Sequence, residues 1–120
     1  LIKLIHKSVY ISKFSKIGLG TIIYANTTIG SGVKIGKNCI IGANVSIGHD
    51  TVVGDNSVIS PGSCIGGGSK IGKNFFCGLN ATIIPYITVG KECNISAATI
   101  LKKNLKSKTK FIDGRSIKLL

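Results

Sequence analysis

The chain has 120 residues, 43% of them hydrophobic, and carries a formal charge of +12 from 16 Lys and Arg against 4 Asp and Glu. This composition fills the core of one domain and excludes a disordered chain. No apolar run reaches the roughly 18 residues of a membrane helix, and no basic, apolar, small-residue leader opens the chain, so the expected location is the cytoplasm.

The charge invites an anionic partner. Four Phe and three Tyr, with no basic-aromatic alternation, make nucleic acid the weaker candidate. The basic residues are scattered except for Lys102, Lys103, Lys106, Lys108 and Lys110. These read either as a solvated tail or as counter-charges to a bound phosphate. Cys39, Cys64, Cys77 and Cys93 form no C-x-x-C pair and have no His-rich partner segment, which argues against zinc and redox sites and leaves buried free thiols.

In chain order, an aliphatic residue recurs every sixth position from Ile5, through Ile11, Ile17 and Ile23, on to Leu101. Sixteen of these seventeen positions are aliphatic, the exception being Cys77, and Gly follows ten of them. A small or β-branched residue usually stands two positions earlier, as at Val9, Thr21, Thr51 and Ser63. A helix returns to one face after 3.6 residues and a strand after two, so a period of six with recurring glycine predicts a short strand and a turn, repeated. Three units close a triangular coil of 18 residues, and coils stack at about 4.8 Å with the aliphatic column inside. The count predicts an all-β parallel β-helix of about five and a half coils over residues 1–101, followed by a basic tail over 102–120. Val45, Val52 and Val58 are expected on the outside, as an apolar surface for association into a trimer. Leu1 to His6 already carries the repeat, which suits a fragment of a longer chain.

A repeat does not specify a reaction. A zinc enzyme of this shape needs three histidines and the chain has only His6 and His49; an ice-binding face needs a persistent Thr ladder that the sequence lacks. His49 stands two positions after the core column, at a corner, with Asp50 beside it and Gly54-Asp55 following. An imidazole there can take the proton of an attacking hydroxyl or amine while a carboxylate sets its tautomer. A surface His next to a surface Asp is the plain alternative. Gly67 lies 18 residues on, at the same corner one coil away; its N–H suits a developing oxyanion, and a simple turn glycine is the alternative.

The segments Ile5-His6 to Ser8, Gly48-His49-Asp50, Gly54-Asp55, Ser60-Pro61-Gly62, Lys70 to Asn74 and Gly78 to Pro85 resemble the hexapeptide-repeat acyltransferases. The match is specifically to the sialic acid O-acetyltransferases and the N-acetyltransferases of nucleotide-linked 4-amino sugars, over residues 4 to 101. The resemblance implies left-handed coils, a trimer with acetyl-CoA between neighbouring subunits, His49 as general base and Asp50 as the acid that polarises it. It further implies an acetyl-CoA channel past Gly67, Leu79 and Ala97, with Val58 where the relatives often carry a second His, and with Lys103 near the emerging cofactor. The relatives' closing Gly-x-Pro-Ala-Lys segment is replaced by Asp113 to Lys118, and their N-terminal nucleotide-binding α/β domain has no counterpart here. The expected activity is acetyl transfer from acetyl-CoA, without a metal, to a sugar hydroxyl or amine. A non-sugar small acceptor and a non-catalytic trimeric scaffold remain as alternatives.

Overall fold

The computed structural model describes residues 2–119; the ends of the expected domains, Leu1 and Leu120, lie outside it. Seventeen two-residue strands follow one another at six-residue intervals, from β1 (Leu4–Ile5) through β2 (Tyr10–Ile11) and β3 (Lys16–Ile17) to β17 (Ile100–Leu101). Each of the first fourteen pairs in parallel with the strand three further on, so Leu4 faces Ile22 and Tyr10 faces Thr28. The result is a left-handed parallel β-helix of about 6 turns with three flat faces. Face A begins with β1, face B with β2 and face C with β3.

The six-residue period sets the inside. The column from Ile23 to Leu101 is buried throughout, and so is the residue two places before each member, including Thr21, Val33, Thr51, Ser57 and Phe75. Val45, expected outside, is therefore inside and 1% exposed: two residues before the column, at the end of a corner, the chain has already turned inward. Val52 and Val58, one residue before it, do face outward. The inward hydroxyls bridge coils. Thr27 Oγ1 donates to Gly42 O at 2.7 Å and accepts from Val45 N at 3.2 Å. No buried side-chain N or O among the described residues lacks a partner, as burial of polar groups demands.

Corners supply the other half of the repeat. Their second residue sits in the left-handed region, mostly at Asn26, Asn38, Asn44, Asp50, Asn56, Asn74 and Asn80 or at a glycine such as Gly32 or Gly68, and at Phe14, Tyr86, Glu92 and Ala98 the coil holds other residues there. Asn, Asp and Gly are the residues that tolerate it best.

Beyond Leu101 the coil continues. Leu105 bridges to Val89, and β18 (Thr109–Ile112) pairs with β16 (Asn94–Ile95), each offset 16 residues rather than 18. The corner after β17 is thus two residues short. Phe111 closes the top of the core, and β18 turns back into the antiparallel β19 (Arg115–Lys118). The segment expected as a tail thus lies largely in the fold.

Three thiols are buried, but Cys64 is exposed. It precedes Ile65 in β11 (Cys64–Ile65), and the alternation of a strand turns it outward. Burial raises the Cys39 thiol pKa and pushes that of Cys77 up to about 11.

Candidate active site

The corner between faces B and C brings His49, Asp50 and Gly67 together. His49 follows β8 (Ser46–Ile47) and Gly48, where a side chain would strike the backbone N of Gly67, so glycine permits the close stacking of the two coils. Asp50 takes φ of 57°. Thr51 turns inward and donates to Gly66 O at 3.1 Å, while His49 O accepts from Gly68 N at 2.7 Å. Two bonds thus pin the His49 corner to the coil above.

The imidazole lies across Gly67. A Cβ on Gly67 would sit 2.5 Å from His49 Nε2 and 2.6 Å from Cδ2, so the ring rests where only a glycine leaves room. His49 Nδ1 lies 3.1 Å from Asp50 Oδ2, both side chains being largely exposed. With Nδ1–H donated to the carboxylate, Nε2 keeps its lone pair free over the glycine floor. Asp50 Oδ1 reaches down over Gly32, at a spot that a side chain there would fill. The Gly67 N–H has no acceptor among the described residues. One coil higher, the Tyr86 ring lies over Gly68. Gly32 is a support that the motif around His49 does not reveal; its 18-residue offset from Asp50 is the signal for it.

The other expected residues lie elsewhere on the prism. Leu79 and Ala97 share the corner between faces A and B, across face B from His49; Leu79 is exposed and its carbonyl accepts from Ala98 N at 2.7 Å. Ala97 lines an open cleft of about 350 Å³ with Ile100, Lys102 and Asp113. Val58 lines a shallow apolar groove of about 220 Å³ on face A with Tyr24, Ile40 and Pro61. Lys103 follows β17 at the short corner, where its ammonium lies 5.7 Å over the Phe111 ring at the closed end of the prism. No cluster of three or more His, Cys, Asp or Glu side chains that could hold a metal occurs among the described residues.

Hexapeptide models match most of the chain. The family described as bacterial transferase hexapeptide (six repeats) matches residues 14–49 and 32–67, and the hexapeptide repeat of succinyl-transferase matches 68–103. Together they span residues 14–103, and the chain belongs to the hexapeptide-repeat transferase family. Among solved structures it is similar to the acetyltransferase domain of PglB from Neisseria gonorrhoeae, at 23% identity and a TM-score of 0.93 over 99% of this chain and 58% of that one. It is also similar to PerB from Caulobacter crescentus, solved with CoA and GDP-perosamine, at 26% identity and a TM-score of 0.93 over 98% of this chain and 56% of that one. A variant of AntD, an N-acyltransferase from Bacillus cereus solved with dTDP-4-amino-4,6-dideoxyglucose and coenzyme A, is 18% identical with a TM-score of 0.89, over 98% and 80% of the two chains. The chain thus spans a little over half the length of the first two. No curated protein sequence matches it significantly.

Proposed function

We propose that the chain is the catalytic domain of an acetyl-CoA-dependent acetyltransferase that acts on a hydroxyl or amino group of a sugar, either sialic acid-like or nucleotide-linked. The observation that carries this reading is the His49 imidazole lying on Gly67 with its far nitrogen held by Asp50. His49 Nε2 takes the proton of the acceptor O–H or N–H as that atom attacks the thioester carbonyl. The unengaged Gly67 N–H holds the oxyanion of the tetrahedral intermediate. Asp50 stabilises the imidazolium, which returns the proton to the departing CoA sulfur as the C–S bond breaks.

Acetyl-CoA extends in this reading from Gly67 toward the C-terminal coils, where the cleft at Ala97 and Lys102 offers a wall and a positive charge. Leu79 and Ala97, which share the corner across face B from Gly67, and Val58 on face A stand away from His49 on the same chain, so these residues and the Ala97 cleft join the channel from a neighbouring subunit, which supports a homotrimer with shared sites. The apolar groove at Val58 is the surface that such a neighbour covers. The proposed location is the cytoplasm, where acetyl-CoA and nucleotide-linked sugars are made; no helix among the described residues is long and apolar enough to cross a membrane. Incubation with acetyl-CoA, sialic acid and a nucleotide-linked 4-amino sugar, with free thiol as readout, tests the proposal. Acceptor-dependent thiol release supports it, and no release with any sugar refutes it.

A further inference from the structure

The three faces differ in charge. All ten charged residues between Tyr10 and Ile100 lie on face C or on the two corners that bound it, whereas faces A and B and the corner between them carry none over that span. The charges are also divided along the axis. The C-terminal half of face C mixes Lys70, Lys73 and Lys91 with Asp55 and Glu92, and Lys73 Nζ lies 3.9 Å from Asp55 Oδ2. The N-terminal half holds Lys13, Lys16, Lys34 and Lys37, and no acid precedes Asp50 in the chain. All four are exposed, and none forms an ion pair among the described residues.

Lys16 and Lys34 are register partners on adjacent strands, so two like charges point outward side by side one coil apart. Like charges directly opposite each other destabilise a sheet, and local conflicts of this kind concentrate where function requires them. Lys34 in turn pairs with Val52, three residues beyond His49. One coil spacing of about 4.8 Å and the three-residue corner from His49 to Val52 put the Lys34 backbone about 10 Å from His49. The groups proposed for acetyl-CoA, Gly67, Leu79 and Ala97, all lie on coils C-terminal to His49, which leaves the N-terminal side of the imidazole to the acceptor.

We propose that the N-terminal half of face C is the anchoring site for an anionic acceptor, with Lys16 and Lys34 as its clamp and Lys13 and Lys37 at its margins. This rests on the reading of His49 as the catalytic base. The ligand chemistry is a phosphate or carboxylate on the sugar, set roughly one sugar's length from the nucleophile. A nucleoside diphosphate and a free sugar acid are the two sources that supply it. Exposed lysines act here by joint attraction that salt screens.

The test pairs a binding measurement with a kinetic one on the full chain. Calorimetric titration with uridine diphosphate and, separately, with N-acetylneuraminate shows which source binds and needs no turnover. Lys16→Gln combined with Lys34→Gln should weaken that binding at least tenfold and raise the acceptor KM similarly, leaving kcat and the KM for acetyl-CoA within twofold. Lys70→Gln combined with Lys91→Gln, the same charge change on the upper half of the face, should leave acceptor binding within twofold. The proposal is overturned if the wild type binds neither probe, if the lower double variant binds as the wild type does, or if the upper one loses as much. Binding lost in the lower variant, in a protein that transfers no acetyl group, would uphold the anion site and sink the acetyltransferase reading.

Discussion

Gly67→Ala separates the proposed chemistry from the fold. The new methyl would begin 2.5 Å from Nε2 and 2.6 Å from Cδ2 of His49, whereas ordinary van der Waals contact starts at 3.4 Å, so the ring must retreat by about 1 Å or rotate away. The atoms met belong to the end of an exposed side chain, which yields cheaply, and Gly67 is not among the residues with positive φ. Thermal stability should therefore hold, with loss of unfolded-state freedom contributing up to about 1 kcal/mol in its favour. A displacement of about 1 Å in a catalytic group costs on the order of 10²-fold in rate, and loss of the base altogether bounds the effect at about 10⁴-fold. The assay is thiol release from acetyl-CoA at saturating acceptor, corrected for the exposed Cys64, beside a melting curve. Gly48→Ala is the contrast: its Cβ meets the backbone of Gly66 and Gly67, which cannot yield, so that variant should lose stability. A Gly67→Ala protein that melts normally and turns over at the parental rate would refute the role given to the imidazole on its glycine floor.

His49→Ala should lower kcat about 10²- to 10⁴-fold with an unchanged melting temperature, and Asp50→Asn should lower it less, since the ring stays on Gly67. Replacing Lys102, Lys103 and Lys106 together by Gln should raise the KM for acetyl-CoA several-fold and flatten its salt dependence with kcat intact; a melting curve should also show loss of the Lys103–Phe111 contact, worth up to about 1 kcal/mol. A disulfide reagent should label Cys64 at once and the other three thiols only on unfolding. Because burial pushes the Cys77 thiol up to about 11 from 9.0, the unfolded chain releases that proton first as pH rises. Stability should therefore fall between pH 9 and 11 by about 2 kcal/mol, and denaturant titrations of Cys77→Val should lack that component. Sedimentation at micromolar concentration should show a trimer; a monomer there would remove the shared site.

The period of six was enough to assign the interior column, the three faces and the stacking of His49 beneath Gly67, because a coil of fixed length turns sequence distance into spatial position. The partition of charge follows from the same arithmetic, since each eighteenth residue returns to one face. Individual side-chain directions near a corner do not follow from it. Val45 is inside because the corner has already turned the backbone inward, and Cys64 is outside because it occupies the outward position of its strand. The rule also ends where the repeat does. At Lys102 to Asn104 a corner loses two residues, and only the folded chain shows Leu105 and Phe111 closing the core and Lys103 lying across its end. Nor does spacing show that the Asp50 carboxylate touches both His49 and the bare backbone of Gly32, since that depends on side-chain rotamers chosen by the packing of three adjacent coils.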